Sequence, residues 1–254
     1  MLAPVWPVPA AVRAACSTRD DGGVSVSPSY ASLNLGDHVG DDPRAVAENR
    51  TRFGRQLQAR PVFLKQVHGW DVERLTQATG DGAEADACWT TERGIACTMM
   101  VADCLPVLLA DRQGRGVGAA HCGWRGLAGL QGSGALEALW AAMAPEMNDE
   151  ADSALAWLGP CIGPDAFEVG AEVHDAFVER DPAAVACFRP AGAPGKFFAD
   201  LQALARRRLK ALGIHAIYGN DGSRDWCTVS NPSRCFSHRR DRGSGRFAAS
   251  VWLG

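Results

Sequence analysis

The chain contains no run of 18 apolar residues, which excludes a membrane-spanning helix. It has no CxxC pair. Its nine cysteines are odd in number and scattered from residue 16 to residue 235. That is not a secreted disulfide framework, so a reducing, cytoplasmic compartment is expected. A basic excess is missing too: 26 Lys and Arg stand against 29 Asp and Glu, a net charge of −3. Neither nucleic acid nor membrane is therefore an expected partner. The N-terminal MLAPVWPVPAAVRAACS lacks a basic n-region, and prolines at 4, 7 and 9 interrupt its apolar residues. It reads as the approach to an edge strand near Val12 rather than a signal peptide. No internal repeat and no flexible linker are visible, so residues 1–254 are expected to form a single domain.

What is present is ordinary globular composition, 46% hydrophobic and 22% charged. Residues 41–57 read as a helix: Asp42 can cap it, Pro43 suits its first turn, and Val46, Arg50, Phe53 and Leu57 fall at helical spacing. Residues 61–75 read as a short strand, a turn at His68-Gly69 and a second strand. Two apolar runs, 94–101 and 105–110, break at Asp103-Cys104. GRGVGAAHCGWRG is a strand and a turn. Further helices are expected over 129–144, 171–181 and 199–214, the last with Leu201, Leu204, Leu209 and Leu212 on one stripe. A strand is expected from 154 and another over 214–219, and 234–253 reads as a hairpin with a glycine-rich turn. Without a regular βαβ alternation, the expected class is α+β with a mixed or mostly antiparallel sheet.

Three turns place soft ligand atoms beside strand ends: QVHG (66–69), ADC (102–104) and AHCG (120–123). A buried polar group without a partner costs about 1–3 kcal/mol. One metal ion would satisfy His68, Cys104 and His121 together, and a His₂Cys set suits Zn²⁺ with a fourth position open. Their spacings match no short zinc motif, so three separately satisfied turn residues stand as the alternative. Alternation along a strand turns Cys122 away from His121 and into the core, unless the turn begins before it. Asp103 reads either as an acceptor behind a metal-bound imidazole or as a turn cap.

QVHGWDV, VADCLPVLLAD, GAAHCGWRGL, GPCIGPDAFEVG and SHRRDRGSGRFAASVWL occur in this order, after SLNLGDHVGDDPRAV. In them the chain resembles the laccase-domain family, the YfiH-like proteins, over about residues 5–253. The resemblance implies a layered mixed α/β fold related to a toxin deamidase with a Cys-His pair. It also implies a zinc ion on His68, Cys104 and His121. TRDDGGVS is one residue longer than the usual family motif, so the loop near Arg19 is not carried over.

The polyphenol-oxidase name of the family fits poorly with six histidines, at 38, 68, 121, 174, 215 and 238. After one His₂Cys site, four would remain for three more coppers. Copper could occupy the site adventitiously. The resemblance favours instead an enzyme that phosphorolyses adenosine, inosine, guanosine and methylthioadenosine and deaminates adenosine. Purine nucleoside and phosphate are then the small-molecule partners. A zinc-bound water with its pKa lowered toward ~7 suits attack at C6 of adenine. Arg125, at the start of an expected helix, is the candidate for phosphate. Arg19 and Arg240 are further candidates, and Asn34, Lys65 and Gln66 border the expected site. The alternatives are an amidase editing a cytoplasmic cell-wall precursor that carries a misincorporated serine, and a non-enzymatic zinc-stabilised scaffold.

Overall fold

The structure, a computed structural model, describes residues 1–130, 133–148 and 151–254. Along the chain run β1 (Val12–Cys16), α1 (Pro43–Leu57), β2 (Arg60–Phe63), β3 (Val72–Arg74) and β4 (Ala87–Thr90). Then follow β5 (Ile95–Val101), β6 (Leu105–Asp111), β7 (Val117–Cys122), α2 (Trp124–Ala128) and α3 (Ala135–Met143). Next come β8 (Ala154–Leu158), β9 (Glu168–Gly170), α4 (Ala171–Val178), β10 (Phe188–Pro190) and β11 (Lys196–Ala199). The chain ends with α5 (Leu201–Ala211), β12 (Ala216–Gly219), α6 (His238–Asp241) and β13 (Phe247–Leu253). The class is α+β, as the mixture of patterns predicts.

Two larger sheets form the frame. One has the order β1-β13-β5-β2, the other β12-β8-β6-β7-β4-β3; a small sheet, β10-β11-β9, stands apart. Strands β5, β6 and β7 are buried along their whole length, which explains their unbroken apolar runs. Alternation sorts their side chains into layers. Val117, Ala119, Leu108 and Ala110 join Cys97, Met99 and Val251 between the two sheets. Leu105, Val107, Ala120 and Cys122 take the other face, in one core with Leu136, Leu139, Val173 and Leu204 of α3, α4 and α5. The outer face of the four-stranded sheet is covered by Phe53 and Leu57 of α1. The layer order is therefore helix, sheet, sheet, helices.

Helix α1 begins as its sequence dictates. The Asp42 side chain accepts from the amide of Arg44, and Pro43 occupies the first turn. Two expectations are corrected. The helix expected over 129–144 begins only at Ala135, after a bridge between Leu130 and Ser133; residues 131 and 132 of that span lie outside the described residues. The expected hairpin over 234–253 is absent, because β13 pairs with β1 and β5, far away in sequence, and His238–Asp241 forms a helical turn capped by Ser237. A cap and two apolar edges waiting elsewhere outweigh a glycine-rich turn. On α5, Arg206 donates to the carbonyls of Ile217 and Asn220, and Arg207 and Arg208 pair with Asp181 and Glu137. No helix among the described residues is long and apolar enough to cross a membrane.

Candidate metal centre and its cavity

His121 is the penultimate residue of β7, opposite Pro106 in the antiparallel ladder with β6. Cys104 stands immediately before β6, at the end of a turn in which Asp103 takes a φ of 93°. His68 lies in the connection from β2 to β3, also left-handed at φ 63°. The register brings the three together: their ligand atoms lie within 4.8 Å of one another. The two imidazole rings meet edge to face with centroids 4.8 Å apart. Among the described residues this is the one group of three or more side chains able to hold a metal ion.

Asp86, which sequence reasoning passed over, organises the group. Its carboxylate accepts the amides of Val67, His68 and Gly69 at 3.0, 3.0 and 2.7 Å, and so folds the QVHG turn around itself. It also meets His121 Nδ1 at 2.8 Å. That contact leaves Nε2 as the ring's ligand atom, the usual carboxylate–histidine arrangement behind a metal. Burial would raise the Asp86 carboxyl, but the His121 ring and the turn amides hold it below its ordinary value. The signal in the sequence was an acid immediately before a wholly buried strand. Asp103 has other work. It accepts from the Thr228 hydroxyl and from the amide of Arg239, tying the Cys104 turn to α6.

The donor set fits a zinc-type ion. Burial raises the Cys104 thiol, yet His121 and His68 outweigh it and bring it down to about 6. A thiolate therefore stands ready at neutral pH. Burial lowers His121, but Cys104 and Asp86 raise it to about 9. Residue 123 packs tightly against the group: a Cβ there would lie 3.0 Å from Cys104 Sγ and 3.2 Å from His68 Cδ2, so a side chain would push on both. This explains the Gly of AHCG. Cys122 is fully buried in the helix-facing core, and burial pushes its thiol well up. Cys122→Ala is expected to leave metal content unchanged and to cost about 1 kcal/mol of stability. Thermal unfolding and metal analysis check both; loss of metal would move Cys122 into the site.

A cavity of about 300 Å³ opens on His68, Cys104 and His121. Met100, Trp124, Ile162, Phe167 and Leu201 give it apolar walls, and His38, His238, Arg239 and Arg246 add nitrogen donors. Of the residues expected to bind substrate, Gln66 lines this cavity, although its amide is engaged at both ends by the backbone of Met100. Lys65 points elsewhere, in an exposed ion pair with Glu84. Asn34 is fully buried and acts at one remove: its Oδ1 accepts the amide of Arg246 at 2.8 Å. Arg240 is held by Asp241 and by the carbonyls of Thr228 and Cys235. Arg19 binds the carbonyls of Ala31, Pro28 and Pro232. Arg125 is exposed outside the cavity lining, stacked 4.5 Å over Trp124, on a helix of only five residues. The arginines that do face the cavity, 239 and 246, were hidden inside the segment read as a hairpin.

The family described as multi-copper polyphenol oxidoreductase laccase matches residues 13–254. A protein of Pseudomonas aeruginosa named a purine nucleoside phosphorylase is 50% identical over 252 residues, covering 99% of this chain and 98% of that one. The purine nucleoside phosphorylase YfiH of Escherichia coli is 46% identical over 255 residues, with 100% and 98% covered. Among solved structures, a Neisseria meningitidis protein superposes with a TM-score of 0.90 at 45% identity, covering 99% of this chain and 98% of that one. YlmD of Geobacillus stearothermophilus superposes at 0.85 with 32% identity, covering 97% and 93%. With a match this long and relatives this similar, the chain belongs to the family of laccase-domain, YfiH-like proteins.

Proposed function

We propose that the protein is a zinc-dependent purine nucleoside enzyme that phosphorolyses adenosine, inosine, guanosine and methylthioadenosine and deaminates adenosine. The observation that carries this reading is the placement of His68, Cys104 and His121 at one wall of a cavity with apolar sides and arginines at its edge. The names of the relatives, purine nucleoside phosphorylases, point the same way. Zinc held by these three side chains would supply Lewis acidity and lower the pKa of a water, with one coordination position left for the reactant.

The chain's own residues do the rest. Asp86 keeps the His121 ring in one tautomer and one orientation. The Cys104 thiolate contributes the negative charge that a divalent cation needs. Phe167, Ile162 and Met100 offer a dry surface for a flat purine. In phosphorolysis a phosphate oxygen bonds to C1′ of the ribose while the bond to N9 breaks, and the base leaves with that electron pair. In deamination water adds at C6 and ammonia leaves. A multicopper oxidase would need further ligand groups, and the described residues offer one.

The test is product analysis on metal-defined protein. Adenosine is expected to yield adenine only when phosphate is present, and inosine without it, on about one zinc per chain. Absence of any product from the zinc-loaded protein would overturn the reading. The cell-wall amidase, which needs no phosphate, would then be assayed next.

A further inference from the structure

We infer that Arg246 and Arg239 form a subsite for a phosphate group in the cavity beside the three metal-ligating residues. The inference rests on the nucleoside reading for its substrate but not for its chemistry. Asp103 is the one carboxylate among the described lining residues, and its two oxygens are taken by Thr228 and the amide of Arg239. The lining arginines have no acidic partner. Neither Arg239 nor Arg246 makes an ion pair among the described residues, and their side-chain hydrogen bonds go to backbone carbonyls. Arg246, partly buried on the cavity wall with no counter-ion, calls for an anion, and the exposed Arg239 brings a second guanidinium to the same cavity.

Arg246 is built to serve it. Its backbone is clamped: the amide donates to Asn34 Oδ1, and the carbonyl accepts the amide of Leu35 at 3.0 Å. Gly36 lets the stem lie flat, since a Cβ there would come within 2.7 Å of Arg246 Cγ. Nη1 donates to the carbonyls of Ser244 and Gly245 at 2.7 and 3.1 Å. Nε and Nη2 make no hydrogen bond within the described protein, and they form the edge that grips two oxygens of one phosphate. Burial lowers the Arg246 pKa while Cys104 and Asp103 raise it, which sets the guanidinium in the field of the metal-ligating thiolate. Arg239 is fixed in a parallel way. Its Nη1 donates to the carbonyls of Ala166 and Glu168, and its guanidinium lies 5.6 Å from the Phe167 ring centroid. Both arginines thus present donors from anchored positions, and Phe167 beneath Arg239 leaves a flat apolar surface next to them.

The experiment is calorimetric titration of the zinc-loaded protein with inorganic phosphate and, separately, with adenosine 5′-monophosphate. The two ligands separate a free phosphate from one carried on the nucleoside. Arg246→Gln and Arg239→Gln are expected each to weaken the phosphate ligand by at least about tenfold, the size of one lost charge-assisted contact. Zinc content and adenosine binding should stay within about twofold of wild type, by the same scale. Arg239 is exposed, so its variant is read even if Arg246→Gln folds poorly. Unchanged affinity for both ligands in the two variants, or no binding of either by the wild type, would overturn the subsite. Phosphate binding without base release would uphold it and sink phosphorolysis. Base release with an unchanged KM for phosphate in both variants would sink the subsite and leave the reaction standing.

Discussion

Cys104→Ala is expected to lose the metal and all measurable turnover. The thiolate is one of the three side chains able to hold the ion, and the only anionic one of the three. Structural zinc is held with roughly 10–16 kcal/mol in small domains, so removing a third of the ligand set costs on the order of 3–5 kcal/mol, or about 10²–10³-fold or more in affinity. The fold should survive, because Cys104 sits at a turn before β6 rather than inside the strand. Metal analysis after dialysis, paired with circular dichroism, checks both halves. Retention of one metal per chain together with turnover would remove Cys104 from the site. The pH dependence follows from the same thiol. With its pKa brought to about 6, the metal-free protein should show thiolate absorbance at neutral pH, titrating near 6 rather than in the ordinary thiol range. Metal affinity should fall as the pH drops through that value. Uptake of metal at pH 7 should release a proton mainly from His121, whose pKa is raised to about 9.

Asp86→Ala is expected to damage stability and metal binding together. Both Asp86 and His121 are buried, and the carboxylate also receives three turn amides. Removing one partner of such a buried pair costs about 3–5 kcal/mol, and loss of the acceptor behind a metal-bound imidazole costs about 10–100-fold in metal affinity. Urea unfolding of the metal-free protein reads the first effect, and competition with a chelating dye reads the second. A variant with wild-type stability and wild-type affinity would show that the carboxylate organises nothing. In the metal-free protein the pair also shapes stability against pH. Asp86 titrates lower in the folded state, so its contribution is present above the unfolded carboxylate value of about 3.9 and is lost as the pH falls through the folded value. His121 titrates higher in the folded state. Its contribution is complete below the unfolded value of about 6.5 and is lost as the pH rises through about 9. Asp86→Ala should therefore remove the acid flank that Asp86 supplies and lessen the alkaline one, which Cys104 also holds up.

Much of the local structure could be read from the chain. Asp42 and Pro43 announce α1 because a cap and a first-turn proline act within a few residues. The apolar runs of β5 and β6 announce themselves because both faces of those strands are covered. His68, Cys104 and His121 stood out as soft ligands interrupting such runs, and the family resemblance joined them into one site. Alternation along β7 was enough to turn Cys122 toward the helices and His121 toward the ligand cluster.

Other assignments needed the assembled molecule. Asp86 looks like any acid before a strand until the register of β4 against β7 sets it beside His121. Arg125 has the expected neighbour in sequence, yet on its five-residue helix its guanidinium lies over Trp124 and it is not among the residues that line the cavity. Arg239 and Arg246 come from the far end of the chain and reach the cavity because β13 inserts between β1 and β5 and Asn34 clamps the residue that precedes it. Caps, turns and strand faces depend on neighbours a few residues away, and the sequence by itself determined those. Which carboxylate supports a ligand and which arginine meets the cavity depend on pairings across 35 to 212 residues, and only the tertiary structure decided them.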